Sequence, residues 1–494
     1  MQRISHLIGG KQVTGGQAGP VYNPATGEQT GQVDLAGAAE VDLAVAAAAE
    51  TWPRWATTSL ARRTEIMFAF RHLMDEHRAE LAAAITAEHG KVLADAMGEV
   101  ARGLENVEFA CGIPQLLKGG HTAQASTGIG VHEIHQPLGV VAGITPFNFP
   151  VMVPLWMLTT AIACGNTFVL KPSEKDPSPS LLIAAMLAEA GLPDGVFNVV
   201  QGGPVAVDRL LDHPAVAAIS FVGSTPVARH VYQRGTAAGK RVQALGGAKN
   251  HMVVLPDADV ALAADAAVSA AYGSAGERCM AVSVLVPVGA IADELVAAVA
   301  ARLAGLRIGP GTDPEAEMGP LITREHRDRV AGYLDVASAE GAMVVVDGRR
   351  SQFDSPGFFL GASLVDGVTP RMAVYRDEIF GPVLCVARVD TYDEAIALVN
   401  ANPYGNGAAI FTRDGGAAHR FESEVSTGMV GVNVPIPVPV AYYSFGGWKQ
   451  SLYGDTHMYG PHGVHFYTRT KVVTTRWPDR HASAGPDLGF PRNR

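Results

Sequence analysis

Charged side chains are scarce in this chain: Asp, Glu, Lys and Arg make up 17% of 494 residues, against 48% apolar types. A disordered polymer is excluded by that balance, and large buried cores are expected. At ~100–200 residues per domain, the length suits two to three domains. No long block of Lys or Arg interrupts a net charge of −10, which argues against nucleic-acid and anionic-membrane partners. Cysteine is equally sparse. Cys111, Cys164, Cys279 and Cys385 are far apart, so neither a disulfide framework nor a metal site is expected, and a reducing, cytoplasmic compartment is. The first residues lack the apolar core of a signal peptide and the Arg/Ser-rich helix of an organellar presequence; His6–Val13 reads as a strand and turn. Charge is missing altogether from Pro137 to Leu170, a stretch long enough to span a bilayer. Pro137, Pro146, Pro150 and Pro154 interrupt it, and a β-like half precedes a helix-like half. A core strand followed by a buried helix fits better than a membrane span.

What is present is alternation. Residues 36–115 read mostly as helix. From Val140 onward, apolar strands (140–144, 167–170, 196–200, 217–222) alternate with helices at 150–164, 178–190 and 205–211. Such alternation indicates a parallel, doubly wound α/β sheet. A second alternating region begins near His251 and includes helices at 259–272 and 290–305.

Four short segments carry candidate chemistry. Cys279 sits in a polar, Gly-containing turn, Gly276-Glu277-Arg278-Cys279-Met280, where a neighbouring cation favours the thiolate. The competing reading is a small buried hydrophobe, as expected for Cys164 and Cys385. Thr145-Pro146-Phe147-Asn148-Phe149-Pro150 lies between a strand end and a helix start, and its Asn amide is suited to a developing oxyanion. Lys171-Pro172-Ser173-Glu174 follows another strand end; it brackets a ribose or forms an exposed ion pair. Phe221-Val222-Gly223-Ser224-Thr225-Pro226 offers a helix N-terminus, with Ser224 as cap, to a pyrophosphate. It is not the G-x-G-x-x-G fingerprint.

Together these positions resemble the aldehyde dehydrogenase superfamily over residues 5–477, in the same order along the chain. The resemblance implies an oxyanion asparagine at Asn148, a nucleophile at Cys279 and cofactor contacts at Lys171 and Glu174. It adds Thr145, Phe147, Lys175, Ser224 and Gly246 to the cofactor site. Glu378, in Glu378-Ile379-Phe380-Gly381-Pro382-Val383, would hold the nicotinamide ribose; Asn402–Asn406 and Phe445–Lys449 also match family segments. The implied fold is a Rossmann-type NAD domain (1–121 and 141–247), an α/β catalytic domain (248–463), a small β oligomerisation region (122–140 and 464–480) and a tail (481–494). Residues 122–140 and the strand-like 465–473 would build that region of a homotetramer.

Within the superfamily, segments 273–281, 246–251 and 431–439 resemble the CoA-acylating methylmalonate-semialdehyde dehydrogenases. Hydrolytic members carry Glu-Leu-Gly-Gly-Lys where this chain has Ala244-Leu245-Gly246-Gly247-Ala248-Lys249, so Ala244 stands at the water-activating glutamate. The resemblance therefore implies an NAD-dependent enzyme with CoA as co-substrate, Arg278 and Arg102 binding a substrate carboxylate. Methylmalonate semialdehyde would give propanoyl-CoA, malonate semialdehyde acetyl-CoA, with loss of CO2, as in valine catabolism. Read on its own, Arg102 beside Glu99 and Glu105 is a surface ion pair. The alternative reaction is hydrolytic, with Glu277 or Glu378 as the base. Glu174 at the ribose favours NAD over NADP by like-charge repulsion of a 2′-phosphate.

Overall fold

A computed structural model describes residues 1–477; the expected tail at 481–494 lies outside the described residues. Two large sheets organise the chain. The first has eight strands, in the order 452–453, 241–245, 216–222, 140–144, 167–171, 197–199, 6–8 and 11–13. Its five central strands are parallel. In chain order they run 3-2-1-4-5, so connections diverge from the gap between Val140–Ile144 and Val216–Val222. Ligands bind at that gap in doubly wound sheets, outside the carboxyl ends of the strands.

The second sheet has seven strands, in the order 343–346, 363–366, 383–386, 282–287, 250–254, 407–411 and 429–432. All are parallel neighbours except the edge strand Met343–Val346. The strand ends of the two sheets contribute differently. From the first sheet, the loops holding Asn148, Lys175 and Ser224 follow a strand; in the second, Cys279, Glu378 and Asn406 precede one.

The uncharged stretch behaves as its composition requires. Val140–Ile144 is a fully buried strand, and every residue of the helix Met152–Ala163 is buried. Among the described residues no helix is long and apolar enough to cross a membrane. The helix starts at Met152 rather than 150 because the Glu99 carboxylate accepts from the backbone N–H groups of Val151 and Met152, capping it from outside. A three-stranded antiparallel sheet joins Thr468–Arg476, Ile129–Pro137 and His121–Ser126. The expected strand at 465–473 is shifted: Gly460–Phe466 is helical, since Pro461 in its first turn initiates a helix, and the ladder starts at Thr468 opposite Pro137.

Helix Leu93–Cys111 packs across Met152–Ala163 at Gly103, where a Cβ would lie 2.7 Å from Leu155 Cδ1 and 3.4 Å from Met152 Cα. A side chain there would force the Leu155 side chain to shift. Gly103→Val is expected to destabilise the chain by about 1–3 kcal/mol through overpacking. Gly98→Ala on the same helix, with nothing within 4 Å of its Cβ, should be neutral or stabilising by up to ~1 kcal/mol. Apparent melting temperatures of the two variants check this.

Candidate active site

Cys279 is delivered by an unusual turn. Helix Val260–Tyr272 ends at Gly273, and Ser274, Ala275 and Gly276 then take left-handed backbone (φ 53°, 53° and 74°). Such conformations cost of order 1–3 kcal/mol each for non-glycine residues and persist only where surroundings enforce them. Just beyond them, two asparagines fix the chain at Cys279. Asn250 Nδ2 donates to the Cys279 and Ala281 carbonyls, both at 2.9 Å, and Asn406 Nδ2 donates to the Cys279 carbonyl at 3.1 Å. Asn250 Oδ1 accepts from Gly407 N–H at 3.0 Å, tying both asparagines to neighbouring strands.

The expected cationic activation of the thiol is not what the structure provides. Burial first, then the charge of Glu378, pushes the Cys279 thiol up to about 12, against its own and Met280's backbone N–H groups and Arg278. Arg278 helps little because its Nη2 donates to Asp95 Oδ1 at 2.6 Å. Cys164 and Cys385 are buried, as expected of structural cysteines.

Asn148 is fixed from both sides. Its Nδ2 donates to the Glu277 carbonyl at 3.0 Å, two residues before Cys279. Its own carbonyl accepts from Lys91 Nζ at 2.7 Å, and Lys91 Nζ pairs with Glu99 Oε2 at 2.8 Å, both side chains fully buried. Nothing in the local sequence around Lys91 or Glu99 signalled this role.

Cys279 borders two large cavities and a smaller one. One, of about 280 Å³, is lined by Arg102, Arg278, Phe149, Met152, Trp156 and Phe445. The structure thus brings both sequence-selected arginines to one chamber with the thiol. Arg102 is no simple surface pair: Nη1 donates to both Glu105 oxygens at 2.9 Å, and Nη2 donates to the Val438 and Pro439 carbonyls at 3.3 and 2.7 Å.

The other cavity, of about 530 Å³, is lined by Phe147, Asn148, Lys175, Ser224, Gly246 and Glu378, together with Cys279. Ser224 precedes helix Thr225–Ala237 but makes no side-chain cap bond among the described residues, so the helix N–H groups remain available. Lys171, buried, donates to the Gly202 carbonyl at 3.0 Å and lies 3.6 Å from Glu174. Lys175 sits 4.6 Å over the Phe147 ring. Thr145 lies behind the lining, its Oγ1 buried without a partner among the described residues. Sequence reading missed His326 and Arg329 on this wall, whose segment carries no local signature, and passed over Phe380 within the quoted run 378–383.

One register reading needs correction. Ala244 points into the core cluster of Val140, Ala142 and Ile144, whereas Leu245 belongs to the cluster against which Cys279 packs. Adjacent strand residues face opposite sides, and the strand Arg241–Leu245 is paired in register with Ala218–Val222. The aliphatic residue on the thiol's side is therefore Leu245, and the extra Ala248 before Lys249 accounts for the one-residue offset.

Two carboxyls stand out. Burial pushes Glu277 up to about 8, despite the Ile322 N–H at 3.2 Å, and pushes Glu378 up to about 7, despite the Ala248 N–H at 2.8 Å. The folded state binds these protons more tightly than the unfolded chain. The contribution is therefore present below the ordinary carboxylate value of 4.5 and is lost as pH rises through about 8 for Glu277. Glu277→Gln is expected to flatten the decline of melting temperature between pH 5 and 8, because the replaced group no longer releases a proton on unfolding.

The aldehyde dehydrogenase family model matches residues 12–473. The malonate-semialdehyde dehydrogenase of Pseudomonas aeruginosa is 54% identical, covering 99% of this chain and 100% of that protein. A malonate-semialdehyde dehydrogenase of Geobacillus kaustophilus is 49% identical over 97% of this chain and 99% of its own. The crystal structure of methylmalonate-semialdehyde dehydrogenase from Oceanimonas doudoroffii superposes with a TM-score of 0.96 at 54% identity, covering 97% of this chain and 99% of that one. A Sinorhizobium meliloti relative crystallised with NAD matches with a TM-score of 0.96 at 51% identity, over 97% and 99%. With Cys279, the Asn148 amide and the crevice at one cleft, the chain belongs to the aldehyde dehydrogenase family.

Proposed function

We propose that this enzyme oxidises malonate and methylmalonate semialdehydes with NAD, and passes the decarboxylated acyl group from Cys279 to CoA. The observation that carries the reading is the pair of guanidinium groups, Arg102 and Arg278, facing the same chamber as the Cys279 thiol. Rigid donor forks suit a carboxylate.

The larger cavity fits a dinucleotide. The open N-terminus of Thr225–Ala237 suits a pyrophosphate. Glu378 suits the hydroxyls of one ribose; Lys171 and Glu174, 3.6 Å apart, are not in the cavity lining and would reach the other ribose only from beyond it. Gly247 admits the Glu378 carboxylate, since a Cβ there would collide with Oε2. NAD, when bound, supplies a hydride acceptor.

The chain's own groups do the rest. Attack of the Cys279 sulfur on the aldehyde carbon, its proton passing to the Glu378 carboxylate of the same cavity, gives a thiohemiacetal whose oxyanion meets Asn148 Nδ2 and the Cys279 N–H, roughly 3–4 kcal/mol per donor in comparable sites. Hydride loss leaves a thioester on Cys279. A carboxylate β to that carbonyl departs as CO2, its electron pair delocalising into the carbonyl held in the oxyanion hole, and a proton then completes the acyl group. Leu245 cannot activate water, so a thiol, partly ionised near neutrality, is the better acceptor.

A hydrolytic reading rests on Glu378, which shares the larger cavity with Cys279 and is pushed up to about 7, a value suited to a general base. The proposed assembly is a cytoplasmic homotetramer built on the antiparallel sheet, with the NAD, catalytic and oligomerisation regions divided as the sequence suggests. Without CoA, the enzyme is expected to release about one NADH per site in a burst, then turn over ~10²–10⁴-fold more slowly. CoA restores steady turnover, and Leu245→Glu raises the CoA-independent rate. Full turnover of the unmodified enzyme without CoA would establish the hydrolytic reaction instead. Stopped-flow absorbance separates the two.

A further inference from the structure

The chamber already contains carboxylates on its arginines. Arg102 is heavily engaged, through Nη1 to Glu105 and Nη2 to two carbonyls. Arg278 is engaged differently. Its guanidinium lies against Gly273, where a Cβ would fall 2.5 Å from Nη1, and among the described residues only Nη2 is taken, by Asp95.

Asp95 itself is half satisfied. Oδ1 accepts from Arg278 at 2.6 Å, while Oδ2 is buried without a hydrogen-bond partner among the described residues. Both members are partly accessible, at 20% and 17% of their side-chain surface. Asp95 and Arg278 also border an outer groove with Asp265, Ser269, Arg302 and Glu317, so the pair forms the partition between groove and chamber.

We propose that Asp95 is a specificity-determining residue, an internal carboxylate that occupies Arg278 until a substrate carboxylate competes for it. The proposal rests on the reading that this chamber takes a carboxylate-bearing aldehyde. A second carboxylate arriving at the same guanidinium meets like charge at short range in a partly desolvated chamber, so the resident one weakens binding of any anion there. The consequence is selectivity: weak anions fail to displace Asp95, whereas an aldehyde that also engages Cys279 and the oxyanion site succeeds. Asp95 would thus set KM for anionic substrates through Arg278, as a positioning residue.

The test compares the full-length enzyme with Asp95→Asn, which keeps shape and removes charge, and with Asp95→Ala, in saturating NAD and CoA. Propanoate serves as a non-reacting carboxylate, and its binding is read both as inhibition and as a shift in melting temperature. Propanoate Ki is expected to fall about fivefold in Asp95→Asn. KM for malonate semialdehyde should fall with it, and the ratio of kcat/KM for that substrate over propanal should rise. A brace that merely holds Arg278 in place predicts the reverse: Ki and KM rise in both variants, and that result, or an unchanged Ki, overturns the proposal. If the unmodified enzyme shows no preference for malonate semialdehyde over propanal while Ki still falls in Asp95→Asn, the substrate reading fails and the competition at Arg278 stands.

Discussion

The buried ion pair between Lys91 and Glu99 is the constraint on which the cleft depends. Lys91 Nζ reaches Glu99 and the Asn148 carbonyl, and Glu99 reaches the first free N–H groups of helix Met152–Ala163. Taking two charges out of water is costly, and breaking such a pair from one side typically costs 3–5 kcal/mol. What justifies the pair is the set of donors and acceptors around it, at 2.7–3.1 Å. One network therefore orients Asn148, starts the helix that floors the chamber beside Cys279, and anchors the helix bearing Asp95 and Arg102.

The second constraint is how the two sheets meet. Polar groups from the first sheet follow strand ends, and those from the second precede strand starts, so the cleft lies between opposite ends of two parallel sheets. A strand end holds backbone direction without committing the side chain that follows it to the core. The turn that carries Cys279 needs more. After the left-handed run at 274–276, Asn250 on one strand of the second sheet and Asn406 just before its neighbour converge on the Cys279 carbonyl.

Much of this was legible in the sequence where a local rule governed it. The strand Val140–Ile144 and the helix at 178–189 follow from apolar runs bounded by Gly and Pro. Cys279, Asn148 and Ser224 stood out because polar groups interrupted such runs at strand or helix ends. Long-range geometry was not legible. Lys91 and Glu99 look like ordinary helix-end and helix-face charges, and only tertiary packing seals them from water. Arg278 looked like an activator of the adjacent thiol, yet its partner is Asp95, 183 positions away in the chain. The Ala244 reading failed by one residue, and in a strand one residue exchanges the two faces of a sheet.

The proposed acyl transfer requires that the acyl group wait on Cys279, already decarboxylated, with Leu245 and no carboxylate on the thiol's side of the strand Arg241–Leu245. The direct measurement is intact mass of the enzyme after reaction with malonate semialdehyde and NAD, quenched before CoA is added, with peptide mapping of the adduct. The account predicts an acetyl group on Cys279 that disappears as acetyl-CoA forms on addition of CoA. An unmodified Cys279 with free acetate accumulating at the rate of NADH formation would contradict it.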